Sequence, residues 1–300
     1  MLIKRGLYNK KGQITIFVII AILVLVGVAA VVFLVPQIAK PTMSAEEAQV
    51  FLAGQTGAIK TYVEDCMQAT AIKSINTLGR QGGRIIQTSE HFSIPGGVML
   101  DAPVINYALF KDPSKGYINE LPSMSEMRSE LQTFLLLNPD FDSCIDDFSS
   151  FKKKNLGITA GAMTIDAANM NLGETNGQII IPFTYPLTVS IAGASTTIDN
   201  YAVNIPLNLA GIRDLASKIT NSIALGESYE KIMQEQALQQ ELALRDNPDA
   251  DVFYITSIQY DMPPSDKSGV NYNEKNTLFT ISYDQIGLDG VFRFNFLIGK

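Results

Sequence analysis

The sequence predicts an α+β fold: a single N-terminal transmembrane helix followed by an extracytoplasmic domain with helices and antiparallel sheet. Three observations predict it. An uncharged apolar run occupies residues 14–35. Stretches of helical periodicity with capping signals follow it. The chain then ends in short aromatic and β-branched runs that alternate with period two.

The apolar run begins at Ile14 and closes at Val35; 17 of its 22 residues are Ile, Leu, Val or Phe, and only Thr15 is polar. At about 1.5 Å per residue it extends roughly 33 Å, enough to cross the hydrocarbon core. Each aliphatic or Phe residue near the centre favours insertion by about 0.3–0.6 kcal/mol. A helix apolar on every face has no side to turn to water. Lys4, Arg5, Lys10 and Lys11 precede the run with no acid among them, whereas Lys40, Glu46 and Glu47 follow it. Cationic flanks stay in the cytoplasm, so the remainder is expected outside, on a single-pass cell-membrane protein. The run exceeds the core of a cleaved secretory signal and no small-x-small site follows, which predicts a retained anchor. The expected organisation is a cytoplasmic leader (1–12), a transmembrane helix (13–38), a helix-rich subdomain (44–160) and a sheet-rich α+β subdomain (161–300).

Charge narrows the partners. Thirty acidic side chains face 23 basic ones, and because four of the cations lie in the leader, residues 13–300 carry a net −11. Such a surface repels nucleic-acid phosphates and anionic lipid heads, so no nucleic acid is expected as a partner, and the lipid bilayer is expected as one only through residues 14–35. The sole histidine, His91, has no Cys or His at zinc-ligand spacing. No phosphate-binding loop, G-x-S-x-G or H-E-x-x-H is present, so no catalytic residue is assigned and no cofactor is expected. Two acidic groups offer oxygen donors: Asp140, Asp142, Asp146 and Asp147, and then Asp246, Asp249 and Asp251. Neither has EF-hand spacing, and helix-end and turn roles are expected, with calcium the alternative. Gly79-Arg80-Gln81-Gly82-Gly83-Arg84 reads as a helix stop rather than an anion loop, because a helix C-terminus disfavours anions.

The junction Lys11-Gly12-Gln13-Ile14 resembles the processing site of archaeal type IV pilin-like proteins, which bear class III signal peptides. The resemblance covers about residues 10–35. It implies cleavage between Gly12 and Gln13 by a prepilin-type peptidase, with the apolar helix kept on the mature chain. It also implies a non-enzymatic surface protein that associates with other copies or other cell-surface proteins, in a filament or beside one. One departure stands out: the fifth mature residue is Phe17, where bacterial pilins place a Glu. The alternatives are an anchored binding or accessory subunit and, third, an anchored hydrolase using a carboxylate pair.

After the run, Pro36 and Pro41 break the helix. Ser44 and Glu47 form a capping-box pattern that opens a helix to Leu78, with Leu52, Ile59, Tyr62, Val63, Cys66, Ala69 and Ile72 as its apolar face. Strands are expected over 84–88, 98–100 and 104–110. Ser123 and Glu126 cap a helix over 125–137 that Pro139 closes, and a shorter helix over 141–151 carries Cys144. Cys66 and Cys144 are read as a disulfide in an oxidising compartment, or as two buried thiols.

The chain turns β-rich from Ala162. Strands are expected over 179–191 and 196–207 about Gly193, with Pro182, Pro186 and Pro206 marking edges or bends. A helical region over 210–244, split near Gly226, directs Leu215, Ile219, Ile223, Tyr229, Ile232 and Met233 inward, and its polar second half outward. Three closing strands (252–260, 277–283, 291–298) predict a meander in which Phe292, Phe294, Phe296 and Ile298 share one face.

Overall fold

A computed structural model describes residues 43–85, 91–93, 104–112, 114–246, 252–260, 276–283 and 291–299. The basic leader, the apolar run, the expected strand over 98–100 and most of that over 84–88 lie outside the described residues. Arg84 and Ile85, which are described, follow the first helix without forming a strand. Among the described residues no helix is long and apolar enough to cross a membrane.

The fold is α+β. Helix α1 (Ala45–Arg80) begins where Ser44 accepts from the Glu47 N–H while Glu47 reaches back to the Ser44 N–H. This reciprocal cap satisfies two donors that the first turn would otherwise leave open. Leu52, Ile59, Val63 and Cys66 are buried as expected. Ala69 is a correction: it is exposed, and Met67, Thr70, Ala71, Ser74, Ile75 and Leu78 complete the buried face. The Thr70 and Ser74 hydroxyls cost little there, because each donates to the carbonyl four residues back, at 2.9 and 2.7 Å.

The first sheet runs β1 (His91–Ser93), β2 (Val104–Asp112), β11 (Phe292–Ile298), β10 (Asn276–Tyr283), β9 (Phe253–Tyr260), with β3 (Gly116–Asn119) also on β2. Strands β9, β10 and β11 form the expected antiparallel meander. Strand β11 then pairs with β2 in parallel, so the sheet is built from both ends of the described chain. Phe292, Phe294, Phe296 and Ile298 all enter the main core. Asn295 and Leu297, between them, are buried too, Leu297 in a second cluster with Ile105, Tyr107, Phe110 and Leu278. The strand is therefore covered on both faces, where alternation alone predicted one.

The second sheet centres on β7 (Ile179–Ile191). Strand β8 (Ala194–Ile205) pairs on one side, and β4 (Gly157–Ala160), β5 (Thr164–Ile165) and β6 (Asn171–Leu172) pair on the other. All pairs are antiparallel. Pro182 lies inside the central strand, opposite Ala202. Ala202 turns its N–H away, to Glu64 of α1 at 3.2 Å, so the missing N–H of Pro182 faces the break between β5 and β6. Pro186 falls where the β7–β8 register shifts between Thr184 and Leu187.

Among the described residues five further α-helices follow the same rules. Helix α2 (Met124–Leu137) has the expected capping box at Ser123 and buries Met127, Leu131 and Leu135. Pro139 does more than end it: it opens α3 (Pro139–Ile145), whose Asn138 cap accepts from the Asp140 N–H at 2.9 Å. The single helix expected over 141–151 is broken. Asp146, Asp147 and Phe148 take φ of 44°, 49° and 56°, a left-handed turn before the short α4 (Ser149–Lys152). Helix α5 (Leu209–Ala224) buries Leu215, Ile219 and Ile223, and Gly226 at φ 87° separates it from α6 (Tyr229–Asp246). In α6 Ile232 is buried and Met233 half-buried, while the rest described is mainly exposed.

Candidate functional surface

Helix α1 organises the surface. Its C-terminal turn fills the fork where β2 and β11 diverge. Asn106 donates from its backbone (3.3 Å) and its amide (2.8 Å) to the Gln81 carbonyl, and buried Asn295 donates to the Arg80 carbonyl at 3.2 Å. The other end of Asn295 accepts from Thr280 at 2.9 Å. These amides satisfy carbonyls that a helix end leaves open. Glycine is required here by approach: a Cβ on Gly79 would lie 2.4 Å from Phe292 Cζ and 2.7 Å from the Arg293 carbonyl. Gly82 stands between the Asn295 and Asn106 carbonyls at φ 81°. The glycine cluster is thus a docking turn.

The middle of α1 is stapled to α3 by a disulfide between Cys66 and Cys144. Tyr62, one turn before Cys66, donates to the carbonyls of Cys144 (2.7 Å) and Ile145 (3.2 Å). Its ring meets Phe148 and Phe151 edge-on, with centroids 6.2 and 5.4 Å away. Burial, reinforced by Asp146, pushes the Tyr62 phenol above its ordinary value. A left-handed residue costs roughly 1–2 kcal/mol, so three in succession need this support. It comes from the staple, the Tyr62 bonds, buried Phe148 and Ser149, which donates to Asp146 at 2.5 Å.

The acidic group expected at helix ends and turns has those roles here. Asp140 sits in the first turn of α3 and pairs with Lys73 at 2.6 Å, Asp146 accepts from Ser149, and Asp147 pairs with Lys152. The backbone of Asp246 ends α6, while Asp249 and Asp251 lie outside the described residues, as do Gly12 and Gln13. His91 begins β1. Among the described residues no three His, Cys, Asp or Glu side chains are grouped to hold a metal ion.

Two surface features remain. A cleft of about 340 Å³ lies against β5, β7 and β8, where Thr164, Asp166, Asn169, Thr184 and Asn200 contribute polar groups. Asp166 is its one carboxylate among the lining residues, and it already accepts from the Ala168 N–H (3.0 Å) and the Asn169 amide (2.9 Å). The second feature is the outward face of α1. Val50, Ala53, Gly54, Gly57, Ala58 and Thr61 are exposed along it, and added Cβ atoms on Gly54 or Gly57 would meet nothing within 4 Å. Further along, Asp65, Gln68, Ala69 and Ile72 line a shallow depression of about 350 Å³. Sequence periodicity marked the inner face of this helix; its smooth outer face emerges only once burial assigns the small residues to solvent.

No family model matches this chain, and no curated protein or solved structure is detectably similar to it.

Proposed function

We propose that this chain is a non-enzymatic, membrane-anchored cell-surface protein resembling the archaeal pilin-like proteins. In this reading residues 14–35 hold it in the bilayer and the acidic α+β domain faces outward. The observation that carries the reading is the uncharged 22-residue run behind four cations. Lipid is the favourable solvent for that run, and the cationic leader resists translocation. Nine residues after Val35, the reciprocal cap at Ser44 opens α1 with its smooth face exposed, as a stalk that packs against neighbouring helices requires. The Cys66–Cys144 disulfide supports an oxidising location.

A second reading is an anchored binding or accessory subunit, favoured by Phe17 in place of the pilin Glu. Mass spectrometry of the chain isolated from membranes tests the first reading. It predicts an N-terminus at Gln13 and retention of the leader in a Gly12 variant. A mature chain starting at Met1 would contradict processing. Filaments lost in the Gly12 variant would decide for the first reading over the second. Turnover of a glycoside that vanished on removing one carboxylate would overturn the non-enzymatic role.

A further inference from the structure

The edges of the two sheets are protected unequally. Strand β8 is long, but α1 covers its far side and Glu64 takes its Ala202 N–H. Strands β1, β3, β4, β5 and β6 are two to four residues long. Strand β9 is eight residues long and pairs with β10 in unbroken register, from Phe253 opposite Tyr283 to Tyr260 opposite Asn276. Among the described residues no strand pairs with its other side. Its sequence, Phe-Tyr-Ile-Thr-Ser-Ile-Gln-Tyr, has no Lys, Arg, Asp, Glu, Pro or Gly. Tyr254 and Ile258 are 59% and 46% exposed, and Thr256 is exposed between them on the same face. Monomeric proteins guard such edges with charge, proline, a bulge or a covering element.

The geometry points to β9 as a pairing edge for a second copy of this chain, joined antiparallel across a two-fold axis at Thr256. Self-complementarity identifies the occupant. That register sets Tyr254 opposite Ile258 and Thr256 opposite itself, an aromatic–β-branched match on each side of a Thr–Thr pair. Charge agrees: beyond the leader each copy carries −11, and an edge with no ionisable acid or base is where two such bodies meet with least repulsion. One strand per copy buries less than the roughly 800 Å² per partner of a standard interface, so the pair is reversible and concentration-dependent.

The test uses the full-length chain in detergent micelles, with cysteine introduced at Thr256 or, as control, at Leu225, which is 84% exposed in the turn after α5 and outside β9. Opposed residues of antiparallel strands have Cα atoms about 4.5–5.5 Å apart, within disulfide reach. Thr256→Cys is expected to give a disulfide-linked dimer on mild oxidation, Leu225→Cys is not, and adding Ile258→Lys to Thr256→Cys abolishes the dimer. Circular dichroism melting of the Ile258→Lys chain confirms that it stays folded. Equal yields at both positions, a dimer that survives Ile258→Lys, or a chain that stays monomeric and captures only other proteins through this edge would overturn the proposal. Assembly through residues 14–35 alone leaves no position-specific crosslink at Thr256, so the outcome is independent of the anchoring proposal.

Discussion

At the scale of residues, the fold turns on a few polar groups placed where apolar ones are expected. Asn295 is fully buried between Phe294 and Phe296 and bonds both Arg80 and Thr280. Asn295→Ala removes both of these hydrogen bonds from a fully buried site, and chemical denaturation should show a loss of about 1–3 kcal/mol. Gly79→Ala should cost a similar amount, about 1–3 kcal/mol, because its methyl group meets a packed ring and a backbone carbonyl. Tyrosines set the alkaline limit. Burial raises the phenols of Tyr62, Tyr185 and Tyr201 above the ordinary value of 10.0, Tyr201 furthest. A raised folded value favours the neutral phenol, so the stability it contributes is whole below pH 10.0 and is lost as pH rises through the folded values. Unfolding free energy measured against pH should therefore fall above that point. Tyr201→Phe should flatten the fall.

At the scale of elements, α1 separates stability from assembly. Gly54 and Gly57 lie in the interior of the helix with open space around them. Alanine at either should stabilise the domain by up to about 1 kcal/mol, since glycine is the poorer helix former. If this face seats a neighbouring helix, the same substitutions weaken assembly while the melting temperature holds or rises. Local chemistry made much of this architecture legible. The capping boxes at Ser44 and Ser123, the hairpin at Gly193, the split at Gly226 and the closing meander all follow from short-range signals. What stayed hidden depends on distance along the chain. The parallel pairing of β11 with β2 joins residues nearly the whole domain apart and leaves no local mark. Ala69 fits the heptad-like spacing of its neighbours, yet the core contacted by a 36-residue helix shifts around its axis. The left-handed turn at Asp146–Phe148 breaks a helix that the apolar positions Phe141, Ile145, Phe148 and Phe151 suggest is continuous. Partners brought from α1, Tyr62 and Cys66, hold that break.

At the scale of the molecule, one covalent tie and one anchor define the account. The Cys66–Cys144 bond closes 78 residues. Replacing both cysteines by serine should lower unfolding free energy by up to about 4 kcal/mol in the loop-entropy model, read as a lower melting temperature under non-reducing conditions. The anchored, outward-facing domain is the central claim, and labelling on intact cells tests it most directly. A chain carrying Leu225→Cys presents a thiol on an exposed turn of the domain. The account predicts that a membrane-impermeant maleimide labels this thiol on unbroken cells, in a chain that sediments with the membrane. Labelling that occurs only after the cells are opened, or a labelled chain recovered in the soluble fraction, would contradict it.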